Sequence, residues 1–206
     1  MAVARPKRVS GSIEGPIPID SGAIEHLRYI RNTIEAAHAF TTVPGRGCVA
    51  MGIVGLGAAG LVRLPALAPH WIWVWVGAAG LAALSAVAFL ARKTSAQGLS
   101  LARGVAKRFF LALLPSFVAG AILTAALYEP AAYRQIAGVW LLSYGAGLAA
   151  SGVHSVRAVM IAGFGFMLLG VLALFVAPFS PTALLATGFG GLHLALGAVI
   201  WRYHGG

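Results

Sequence analysis

Six long stretches of this chain carry almost no charge: residues 48–68, 71–91, 109–128, 136–153, 158–178 and 182–201. Arg63 is the one Lys, Arg, Asp or Glu side chain inside them. Each stretch is close to the roughly 20 helical residues that cross a hydrocarbon core about 30 Å thick. Backbone in lipid must satisfy its own N–H and C=O groups, so such stretches fold as helices. A soluble all-α bundle is ruled out by a shortage of polar cover. Charged residues make up 10% of the chain and apolar ones 59%, against roughly a quarter and a half in soluble domains. A chain of this size exposes too much surface to hide six such helices. The expected fold class is all-α: a polytopic, multi-pass integral membrane protein. It is a compact bundle of six transmembrane helices, preceded by an amphipathic helix on the cytoplasmic side.

The cations alternate with the stretches. Arg5, Lys7, Arg8, Arg28, Arg31 and Arg46 precede the first, and Arg92, Lys93, Arg103, Lys107 and Arg108 lie in the 92–108 connection. Arg157 follows the fourth stretch and Arg202 the sixth, in the tail 202–206, whereas the opposite side holds only Arg63 and Arg134. Cationic loops stay cytoplasmic, so both termini are expected in the cytoplasm, which agrees with an even number of crossings. The preferred location is a bacterial inner membrane. The formal charge of +10 is explained by the membrane surface, so no nucleic-acid partner is expected. On the other side, prolines at 65, 69, 130, 178 and 181 mark short turns, because proline lacks the helix donor and clashes with the preceding turn. Trp71, Trp73, Trp75 and Trp201 sit at stretch ends and are expected as interfacial anchors.

Residues 1–20 read as a flexible leader rich in Pro and Gly. Asp20 or Ser21 can cap the helix that follows, in a segment spanning 21–47 with its turn. Leu27, Ile30, Ile34 and Ala37 share one face; Arg28, Arg31, Glu35 and His38 are on the other. This face, with Arg103, Lys107 and Arg108 of the 92–108 connection, is the candidate contact surface for lipid headgroups, other membrane subunits or a cytoplasmic protein. The connection itself reads as a second short interfacial helix.

Within the stretches, glycine is the commonest special residue. Ser143 with Gly147, and Ala186 with Gly190, are four apart; such grooves let helices approach where the hydrophobic effect gives no help. Gly147, Gly190 and Gly197 are the candidate packing positions. Pro115 reads as a kink in the third stretch. His193, near the middle of the sixth, needs a partner at that depth; Tyr144, Ser143, Thr187 and Ser85 are candidates, and the first three with His193 form the candidate intramembrane polar site. His154, His204 and Arg157 form a candidate cluster for a ligand or partner at the inner surface. The chain lacks a His-Glu-x-x-His motif, a Cys-x-x-Cys-His motif and a phosphate loop, and no carboxylate lies inside a stretch. No catalytic or metal site is expected, and no cofactor is assigned. Function is read as a non-catalytic accessory or regulatory subunit that scaffolds or senses within the bilayer. The alternatives are a transporter of a small solute, ion or lipid, and a redox subunit binding haem or quinone. The oligomeric state stays open.

Overall fold

The computed structural model describes residues 22, 24–30, 43–96, 104–129, 132–176 and 178–204. The chain divides into two units, Met1–Ala39 and Phe40–Gly206. In the first, residues 24–30 are helical and exposed, and Arg28 lies among them. Arg31, Glu35 and His38 of the expected amphipathic helix lie outside the described residues, as does Arg103.

The described residues of the second unit are helices joined by turns, with no strand among them. Its elements are α1 (Gly45–Leu61), a 3₁₀ turn (Ala68–His70), α2 (Trp71–Ala96), α3 (Gly104–Ala126), α4 (Tyr133–Gly152) and α5 (Arg157–Phe175). The last span runs without a break through α6 (Pro181–Leu185), a π-helical segment (Ala186–Leu192) and α7 (His193–His204). Four segments are long and apolar enough to cross a membrane: Ala68–Ser95, Lys107–Ala126, Arg157–Phe175 and Pro181–Tyr203. The other two stretches of the expected six differ from these for physical reasons. α1 has 17 residues, about 26 Å of rise. α4 carries Arg134, Gln135, Ser143, Tyr144 and Ser151, and it is packed between α3 and α5, where protein rather than lipid surrounds much of it.

The first stretch also needs its bounds corrected, from 48–68 to Gly45–Leu61. Pro44, extended in backbone, takes the N-cap position and its carbonyl accepts from Cys48 N–H at 3.1 Å. At the other end Arg63 N–H turns back to Gly60 O and Leu64 N–H to Leu61 O. Pro65 then lacks an N–H and pushes residue 64 out of the helical region. The 92–108 connection is shorter than expected, since α2 continues to Ala96 and α3 starts at Gly104. Residues 97–103, on which most of the expected second interfacial helix falls, lie outside the described residues. α3 continues through Pro115.

Helix ends gather at two rims. At the Pro-rich rim, Trp71 Nε1 donates to Thr182 Oγ1 (2.8 Å) and Trp73 Nε1 to Tyr128 OH (3.1 Å). Arg134 there donates to the carbonyls of Ala173, Val176 and Phe179, at 3.3, 2.9 and 3.2 Å, and so satisfies the open end of α5. At the basic rim, Ser151 Oγ donates to Phe109 O (3.0 Å), and the Arg46 guanidinium lies 6.0 Å from the Trp201 ring centre.

Glycine sets the packing, at a spacing of seven rather than four. Gly145 of α4 opposes Gly163 of α5, and Gly138 opposes Gly170. A β-carbon added at Gly145 would lie 2.6 Å from Gly163 O, and one at Gly163 2.7 Å from Gly145 O. Gly45 and Gly52 of α1 oppose Gly197 and Gly190 in the same way, with a β-carbon at Gly197 only 2.8 Å from Gly45 O. Glycines seven apart return to the same seam of two slightly supercoiled helices, and without β-carbons the backbones come into contact. These two antiparallel pairs form the core. α3 is added to α4 and α2 to α1, while no packed seam joins α2 to α3 among the described residues.

Candidate functional site: a cleft and the histidine behind it

The missing seam leaves a cleft of about 640 Å³. α2 supplies Trp73, Trp75 and Ala79 to its walls, α3 supplies Ser116, Phe117 and Ala121, and Trp140, Tyr144 and Phe189 form the floor. The small residues Gly120, Ala121 and Ala125 recur on one face of α3, so no bulky side chain fills the space. The polar groups of the floor satisfy one another: Trp140 Nε1 donates to Thr124 Oγ1 (2.7 Å), which donates to Gly120 O (2.6 Å). Trp75 is 3% exposed, and its indole N–H is buried without an acceptor. The walls themselves are half exposed: Trp73 at 62% and Phe117 at 50% face outward.

Of the three tryptophans that open α2, Trp73 is exposed whereas Trp71 and Trp75 are buried against protein. Positions four apart share a helix face, and here that face is the interior. Trp71 stacks between Tyr133 (4.7 Å between ring centres) and Trp140 (5.8 Å), whereas Trp73, between them in sequence, points out.

Behind the cleft lies His193, 2% exposed. Its Nδ1 is 3.1 Å from Phe189 O and its Nε2 2.8 Å from Tyr144 OH. A carbonyl only accepts, so Nδ1 carries the proton and Nε2 accepts the tyrosine O–H. Both ring nitrogens are occupied in a neutral imidazole. The rings of Tyr144, Phe166 and Phe189 surround it at 5.5, 5.2 and 6.1 Å. The π-helical segment immediately before His193 has a widened turn, a feature common at functional positions, and Phe189 within it supplies the carbonyl that holds the ring.

Of the candidate polar partners, Tyr144 meets His193. Thr187 donates to Ala183 O and Ser85 to Leu81 O within their own helices, and Ser143 lies on the cleft wall. His154 is in the α4–α5 turn and Arg157 begins α5, exposed; His204 ends α7. Lys107 and Arg108 are exposed in the first turns of α3. Gly147 packs α4 on α3, where an added β-carbon would lie 2.8 Å from the Ser116 side chain, and Gly190 and Gly197 pack the last span on α1. No group of three His, Cys, Asp or Glu side chains able to hold a metal occurs among the described residues. Sequence reasoning missed the cleft, the π-helical turn and the role of Arg134. The small-residue face of α3 and the run Gly188-Phe189-Gly190-Gly191 are the signals that carried the first two.

The chain matches no family model. It matches no curated protein and no solved structure.

Proposed function

We propose that this is a non-catalytic membrane protein with six crossings, an accessory or regulatory subunit that scaffolds within the bilayer of a bacterial inner membrane. Both termini face the cytoplasm. The reading is carried by an imbalance in packing. Only 11% of the apolar window of Ala68–Ser95, and 11% of that of Lys107–Ala126, is buried, against 44% for Pro181–Tyr203. The bundle therefore has a glycine-packed core, α1 with the last span and α4 with α5, and two outlying helices whose apolar faces are free for lipid or a second membrane protein. The charge distribution supports the orientation. Arg46, Arg92, Lys107, Arg108, Arg157 and Arg202 lie toward the basic rim, which holds the ends of α2 and α7, and cations are retained on the cytoplasmic side.

The test is isolation in mild detergent with photoreactive side chains at Leu84 and Leu114, exposed on α2 and α3. The expected result is one membrane protein at fixed stoichiometry, crosslinked at these positions and not from the exposed Ile161 of α5. Isolation as a lone monomer that carries solute across liposomes overturns the proposal.

A further inference from the structure

We infer that the cleft between α2 and α3 is a binding site for one phospholipid with an amino headgroup, of the phosphatidylethanolamine class. The inference requires membrane embedding and does not depend on the accessory role.

The volume of about 640 Å³ is within the range of small-molecule sites, which are largely apolar with a few polar groups. Its extent selects the kind of molecule. On α3 it runs from Ser116 to Ala125, about 14 Å at 1.5 Å per residue. That is roughly one leaflet of a hydrocarbon core about 30 Å thick, so the occupant is anchored at one interface and its chain ends near the middle. At the rim a second, more polar cavity of about 130 Å³ adjoins the cleft and shares Ile72, Trp73 and Tyr128 with it. A polar chamber above an apolar one matches a headgroup above an acyl chain.

The Trp73–Tyr128 hydrogen bond ties the two walls together at the rim. A transmembrane helix about 10 Å across has no passage there, whereas a single acyl chain enters sideways between α2 and α3. The chamber's charges select the headgroup. Glu129 and His70 both line it, and Glu129 is the one carboxylate among the described residues of the second unit. Arg134 on that rim is engaged with the carbonyls of Ala173, Val176 and Phe179. An ammonium answers Glu129 and the adjacent phosphate answers the imidazole of His70. An anionic headgroup meets repulsion from Glu129, and an uncharged isoprenoid quinone leaves it unanswered.

The experiment is native mass spectrometry of the full chain after reconstitution in nanodiscs of equimolar phosphatidylethanolamine and phosphatidylglycerol. One phosphatidylethanolamine is expected to remain bound, preferred about fivefold, the size an exposed charge pair supplies. Glu129→Gln removes the preference while retaining a lipid, and Ala121→Trp, which fills the cleft, removes the lipid. Where Ala121→Trp does not fold, Ala125→Phe fills the same space from the next turn. Retention without headgroup preference overturns the inference. So does retention undiminished in the filled variants, a tightly held quinone in place of phospholipid, or a partner helix crosslinked from inside the cleft.

Discussion

Tyr144 in the interior and Arg134 at the Pro-rich rim each bridge two helices, and each makes a measurable prediction. Tyr144→Phe removes the hydroxyl that bonds His193 Nε2 and leaves a buried acceptor unmatched, so unfolding in mild detergent is expected to become easier by about 1–3 kcal/mol. Tyr144→Phe combined with His193→Leu is expected to cost less than the two single changes added together, because residues in direct contact are coupled. Additive costs in that double-mutant cycle would show that the pair does not act as a unit. Arg134→Ala removes a donor from the carbonyls of Ala173 and Val176 at the end of α5 and of Phe179 in the turn beyond it. The same assay is expected to report a loss of about 2 kcal/mol, since hydrogen bonds from a charged donor are worth more than neutral ones. His193 was legible from the sequence as a residue in need of a partner, but the choice among Tyr144, Ser143, Thr187 and Ser85 was not. Depth along a helix follows from counting residues, whereas the facing helix follows from packing.

At the scale of elements, a glycine's surroundings decide its worth. Gly163→Ala places a β-carbon 2.5 Å from Ala149 N, so α4 and α5 must separate, and a loss of roughly 1–3 kcal/mol is expected, as for other overpacked sites. Gly60→Ala meets nothing within 4 Å and is expected to be neutral or stabilising by up to about 1 kcal/mol, through helix propensity alone. Thermal unfolding of both variants, side by side, checks the contrast; equal effects would remove the close-packed seam from the account. The seven-residue rows were present in the sequence, as Gly138, Gly145 and Gly152 on one helix and Gly163 and Gly170 on the next. Reading grooves at a spacing of four picked out Ser143 with Gly147 instead, which led to Gly147 and its contact with α3. Low-complexity Gly/Ala/Leu sequence offers several such spacings at once, and only the opposing helix selects between them.

For the whole molecule, topology is the quantity to measure. With Cys48 replaced by alanine, the chain has no other thiol. Cysteine introduced at Ala66, exposed beside the Pro-rich rim, or at Val153, exposed at the α4–α5 turn, then reports sidedness. An impermeant maleimide is expected to label Ala66→Cys in intact cells and Val153→Cys only after permeabilisation. The reverse pattern inverts the proposed orientation, and labelling of both from one side removes an odd number of the crossings between them.

Composition, the charge-free stretches and the clustering of cations were enough to identify an all-helical chain with segments able to span a bilayer. Hydropathy and charge are properties of single residues that add along a helix. The end of α1 at Leu61 was half visible in Arg63 and Pro65. The inward turn of Trp71 and Trp75, the neutral imidazole held between Phe189 and Tyr144, and the gap between α2 and α3 were decided by tertiary structure alone. Each depends on which distant faces meet, and in a chain so uniformly apolar nearly every face is able to pack; backbone contact through glycine chooses among them.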